Sequence, residues 1–103
     1  MARIIYNVTI NIDHASEKQW LQWMQDIHIP QVMETGMFTA YRLLRLIGDE
    51  DSGGVTYAVQ YTAPDMVSYD RYRTEFAPAL QAEHTAAFKD RFVAFRTLLE
   101  EVE

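Results

Sequence analysis

The stretch FVAFRTLL, Phe92–Leu99, decides how the chain is assembled. It can prolong the helical pattern before it or stand as a strand. Phe92, Ala94 and Leu98 fall on one side and Val93, Phe95 and Leu99 on the other, so both faces are apolar. That distribution reads as a strand rather than as the single stripe of an amphipathic helix. As a strand it completes a βαββαβ order, the ferredoxin-like pattern: an α+β fold with a four-stranded antiparallel sheet and its helices on one face.

The preceding segments support that order. Asp65 in "APD" is placed to cap a helix. Its apolar stripe runs through Tyr69, Tyr72, Phe76, Leu80, His84 and Phe88, with Pro78 breaking or restarting it midway. Before it, Val55, Tyr57, Val59 and Tyr61 alternate with Thr56, Ala58, Gln60 and Thr62. This strand pairs with Met37–Ile47 through the polar turn GDEDSGG, as a hairpin. Further upstream, Ser16 lies three residues before Gln19, a capping-box spacing that opens the first helix. Trp20, Leu21, Met24, Ile27 and Ile29 follow at helical spacing. Pro30 disfavours helical backbone at Ile29, so a kink or restart is expected there. Gly36 is placed as a left-handed cap. At the start, Ile4, Tyr6, Val8, Ile10 and Ile12 alternate with Asn7, Thr9 and Asn11, a strand with one buried face.

The 103 residues form one domain, 1–103, with an apolar fraction of 49% and an aromatic fraction of 13%, both typical of a globular protein. The formal charge is −6, and the nine Lys and Arg are scattered, which argues against nucleic acid and acidic membranes as partners. There are no cysteines, which excludes disulfides and thiolate chemistry. No apolar run approaches the length of a membrane span or a signal peptide. The expectation is a cytoplasmic protein. Strands two and four are apolar toward the face that the helices leave open, and a partner is expected there. A two-fold homodimer, sheet against sheet, is the economical solution.

Two stretches carry a family resemblance: WLQWMQDIHIPQVMETGMF, with Trp23, His28, Pro30, Gly36 and Phe38, and YDRYRTEFAPALQAEHTAAF, with Tyr69, Tyr72, Ala77, Pro78, Leu80 and His84. With the βαββαβ order they resemble the dimeric α+β barrel superfamily of small monooxygenases, haem-degrading enzymes, muconolactone isomerases and chlorite-dismutase relatives. More closely, with IIYNVTINID, they resemble a bacterial family catalogued as a domain of unknown function. The resemblance implies the fold and a dimer, and a ligand between sheet and helices, but no established activity.

His28 leads the residues that can do chemistry. It either sits at the mouth of a sheet–helix cavity, where an imidazole can take a proton or hold a ligand, or it braces a helix end before Pro30. His84, in an apolar stripe, is either a second polar contact or a hydrogen-bonded core residue. Trp23 and Tyr72 either pack a ligand or, with Trp20, Tyr69 and Phe76, fill the core. No acidic residue falls at metal-ligating spacing near the histidines, and no motif implies a cofactor, although either imidazole has the chemistry of a haem ligand. His14 reads as surface. Arg42, Arg45 and Arg96 fall within strands, where a charged residue facing the interface needs an acidic partner or an anionic ligand. No phosphate loop, nucleophile elbow or Ser–His–Asp order is present.

Two functions remain open. One is an enzyme or binder of a small apolar or aromatic molecule, with His28 catalytic or anchoring, Trp23, Tyr72 and His84 on the ligand, and a cavity of a few hundred Å3. The other is a non-catalytic structural or regulatory dimerisation module.

Overall fold

The computed structural model describes residues 2–48 and 53–102, so part of the GDEDSGG turn lies outside the described residues. Strands β1 (Ile4–Asp13), β2 (Ala40–Arg45), β3 (Gly54–Ala63) and β4 (Phe92–Glu100) form one antiparallel sheet in the order β2-β3-β1-β4. The first helical arm joins α1 (Glu17–Trp23), a wide π-type turn (Met24–His28) and α2 (Ile29–Glu34). The second joins α3 (Met66–Glu75) and α4 (Ala77–Ala87). This is the βαββαβ order with the two central strands, β3 and β1, nearest the core.

Alternation divides the sheet into two chemically different faces. Toward the helices, β1 and β3 pair Tyr6 with Tyr61, Val8 with Val59 and Ile10 with Tyr57, all buried. The helices add Trp20, Met24, Ile29, Val32, Tyr72, Ala77 and Phe88 to the same core. The open face has a polar centre and apolar flanks. Asn7 Nδ2 donates to Thr9 Oγ1 at 3.0 Å and Thr97 Oγ1 at 3.1 Å, and Asn11 Nδ2 donates to Thr56 Oγ1 at 3.0 Å. Beside that stripe, β4 exposes Val93, Phe95 and Leu99, and β2 exposes Leu44.

The helix starts and stops show local chemistry overruled by packing. Asp65 caps α3 as expected, its Oδ1 accepting from the Ser68 N–H at 2.8 Å, and the arm breaks at Phe76 with Pro78 in the first turn of α4. Gly36 has φ +78, the left-handed geometry anticipated for it. Ser16 forms no capping box: it is buried, and its hydroxyl accepts from Arg91 at 3.5 Å. The second strand is shorter than expected, Ala40–Arg45 rather than Met37–Ile47, because Phe38 leaves the ladder to enter the core.

At Pro30 the expected restart is present, since α2 begins at Ile29 with the proline in its first turn, but Ile29 itself stays helical, with φ −60 and ψ −45. Proline cannot donate to the carbonyl four residues back and its ring crowds that carbonyl. The wide turn accommodates it: the Ile29 N–H reaches back five residues to the Met24 carbonyl. The extra residue in the turn rotates the following side chains, so Ile27 points outward at 45% exposure instead of joining the apolar stripe. His28 takes the inward direction.

Candidate functional site

The inward rotation of His28 brings it against the second arm. Its ring stacks on Trp23, with centroids 5.1 Å apart and planes at 18°. His84 lies against both rings, its centroid 5.6 Å from that of His28 and 5.5 Å from that of Trp23. His84 comes from α4, is 4% exposed and packs edge-on to Phe92 of β4. Trp20 Nε1 donates to His84 Nε2 at 2.9 Å. An indole N–H only donates, so this Nε2 is unprotonated and the neutral ring carries its proton on Nδ1. His28 Nδ1 is buried without a partner, as is the Gln31 side-chain oxygen. Leaving such an atom unsatisfied costs about 1–3 kcal/mol, which marks it as a site needing an explanation.

Both imidazoles are held neutral. Burial pushes His28 down to about 4, with the Arg96 guanidinium lowering it further. Burial likewise brings His84 to about 4, with His28 and Arg96 contributing. Nearby phenols stay protonated: burial raises Tyr6, Tyr61 and Tyr72 above the ordinary tyrosine value.

These groups enclose a small chamber between sheet and helices. His28, His84, Tyr72, Gln81, Tyr6 and Arg96 form its polar lining, closed by Met24 and the sheet's Val8, Ile10 and Val59. Its volume is about 20 Å3, room for one water-sized group. That is far below the few hundred Å3 expected, because aromatic rings occupy the space. Phe38 meets Tyr72 edge-on at 4.7 Å and Tyr61 at 5.2 Å, while Trp23 and Phe88 fill the opposite end. Larger depressions exist on the surface. One of about 400 Å3 lies beside Arg3 and Arg42 on the open face, and one of about 350 Å3 lies between α2 and the junction of α3 and α4. Neither gathers histidines. Among the described residues no group of three or more acidic or histidine side chains is placed to hold a metal ion.

Of the expected site residues, His28, Tyr72 and His84 converge on the chamber, while Trp23 is not in its lining and packs against both histidine rings. His14 is exposed. The three strand arginines separate by register. Arg45 lies beside Tyr57 and Glu17: its Nε donates to the Tyr57 hydroxyl at 3.2 Å, and that hydroxyl donates to Glu17 at 2.6 Å. Arg42 faces the open side, paired with Gln60. Arg96, opposite Val8, reaches the chamber and donates from Nε to the Tyr6 hydroxyl at 3.0 Å. Gln81 was not anticipated. Its spacing, three residues before His84 on one helix face, was the available signal.

A family model described as "Domain of unknown function (DUF4286)" matches residues 3–102. The chain belongs to the DUF4286 family. No curated protein matches it. Solved structures similar to this DUF4286 chain include an ethyl tert-butyl ether D (EthD) family protein from Bacillus halodurans, 12% identical with a TM-score of 0.71, covering 96% of this chain and 99% of that one. SnoaB from Streptomyces nogalater, a cofactor-independent oxygenase, is 11% identical with a TM-score of 0.67, covering 100% and 96%. A dimeric ferredoxin-like protein from an uncultured marine organism is 8% identical with a TM-score of 0.67, covering 100% and 98%. At these identities the likeness establishes the fold: ferredoxin-like α+β. No helix among the described residues is long and apolar enough to cross a membrane.

The neutral histidines link stability to pH. The unfolded chain protonates them near pH 6.5, whereas the folded one does so near 4. Between those values the unfolded state binds more protons, so stability falls as pH drops through this window and levels off below about 4. Urea denaturation from pH 7 to pH 4 should show this decline, and His28→Gln should reduce its slope. An unchanged slope in that variant would mean that His28 is already protonated in the fold or does not differ between states.

Proposed function

We propose that this protein is a cytoplasmic homodimer that binds a small molecule at the chamber between sheet and helices. The observation that carries the binding role is the pairing of half-buried His28 with buried His84, both neutral and lining one space, with His28 Nδ1 unpartnered. His28 and His84 supply polar contacts, Tyr72 borders the ligand, and Trp23 supports both histidine rings. Whether chemistry follows binding depends on the ligand. Neutral imidazoles near a substrate can act as bases, and His28 is the residue to which we assign that role. With about 20 Å3 available, the chamber admits one end of a ligand, and an aromatic body requires Tyr72 or its neighbours to move.

The dimer rests on the open sheet face. Val93, Phe95, Leu99 and Leu44 are exposed there beside an asparagine–threonine stripe whose side chains hydrogen-bond one another. Such a face can be covered without stranding these polar side chains, and its apolar flanks gain from burial. The dimeric ferredoxin-like neighbour supports a homodimer, without bearing on which face forms it. Phe95→Glu places a charge on that face without touching the helix side. Light scattering should report a dimer for the wild type and a folded monomer for this variant; a wild-type monomer at micromolar concentration contradicts the arrangement.

A second reading, a dimerisation module with no ligand, is favoured by the small volume of the chamber. A thermal-shift panel of aromatic acids, quinones, flavins and haem, run on wild type and His28→Ala, separates the two. Binding at a hundredfold excess over Kd adds about 2.7 kcal/mol of stability. The binding reading expects a rise in Tm in wild type that shrinks in His28→Ala. No rise with any compound, together with strong destabilisation by His28→Ala, supports the dimerisation module.

A further inference from the structure

We propose that the group bound in the chamber is an oxyanion, the carboxylate of a small organic acid, with one oxygen between the two histidines and the charge met by Arg96. The inference rests on the small-molecule reading above and names its chemistry.

Charge is the first argument. The chain carries a formal −6, yet the chamber lining contains no carboxylate, and its one formal charge is the Arg96 guanidinium. Among the described residues Arg96 has no acidic partner: Arg3, Arg45, Arg71 and Arg73 are the arginines found in ion pairs. Its contact is the neutral Tyr6 hydroxyl. The two neighbouring imidazoles are neutral, so Arg96 gives the chamber a net positive lining, which favours an anion over a cation or a neutral ligand.

Donor geometry is the second. Trp20 occupies His84 Nε2, which leaves the Nδ1–H as the ring's remaining donor. His28 lines the same space, and its Nδ1 is buried without a partner. In a neutral imidazole that nitrogen serves as donor when it carries the proton. An oxygen seated here accepts from the histidines, and the second carboxylate oxygen faces the remaining N–H groups of Arg96. Size is the third argument. Room for one water-sized group fits a single oxygen, with the rest of the acid extending past Arg96, the exposed member of the lining.

The test uses the full chain at constant ionic strength set with chloride. Sodium acetate and sodium benzoate are titrated against acetamide and benzamide, which match their shapes without charge. Thermal shift gives affinity, and the ring-proton resonances of His28 and His84 give location. The expected result is that the carboxylates raise Tm by several degrees and move both histidine resonances, while the amides do neither. Arg96→Gln, which can still donate to Tyr6, should weaken carboxylate binding by about tenfold or more, the loss expected for a charge-assisted hydrogen bond. Arg96→Lys should restore part of it. Amides binding as well as carboxylates, or carboxylates binding Arg96→Gln as well as wild type, overturn the oxyanion while leaving a small-molecule site in place. A Tm rise without movement of the histidine resonances puts binding elsewhere and overturns it too. Failure of every carboxylate, amide and panel compound overturns both readings.

Discussion

The hydrogen bond from Trp20 Nε1 to His84 Nε2 joins the two helical arms above the sheet, and much of the interior follows from it. It spans 64 residues of chain and connects α1 to α4. Because the indole can only donate, the bond requires a neutral His84, and burial enforces the same state. With His84 fixed, the stacked Trp23 and His28 rings both have a surface to close against. The wide turn before Pro30 is the backbone adjustment that directs His28 there. Removal of either partner would strand a buried polar atom in an apolar surround, which costs more than the bond itself contributes.

The sheet separates two tasks. Its helix side supports the polar chamber through Tyr6, Val8 and Arg96, and its open side presents apolar flanks around a polar stripe whose side chains hydrogen-bond one another. Register keeps these tasks apart, since a shift of one residue in β4 would exchange Arg96 for Phe95 or Thr97. The guanidinium would then face the open side and the chamber would lose its one charge.

Much of the fold was legible because alternation has one consequence. The pattern in Ile4–Asp13 and Gly54–Ala63 can bury only one face, and Phe92–Glu100, apolar on both, fits an edge strand between helices and an exposed surface. Asp65, Gly36 and Pro78 act through their own backbone chemistry and were readable for that reason. Ser16 and Ile27 were misread because tertiary packing decides both. Arg91 takes the Ser16 hydroxyl, and the wide turn adds a residue that a uniform 3.6-residue period does not contain. Of the site, the convergence of His28 with His84 needed the relative placement of two arms far apart in sequence. Arg96 was visible as an arginine in a strand, but its side of the sheet depended on the pairing of Val8 with Arg96. The chamber's size was not legible at all, since it depends on how closely Tyr6, Phe38, Tyr61 and Tyr72 interlock.

The central claim is that a neutral histidine pair, with the His84 tautomer fixed by Trp20, lies at the heart of the molecule. Long-range 1H–15N correlation spectra of the imidazole rings at pH 7 test it most directly. The account predicts a neutral His84 with Nδ1 protonated and Nε2 bare, and a His28 that is also neutral. A His84 ring protonated at Nε2, or an imidazolium at either position, would contradict it.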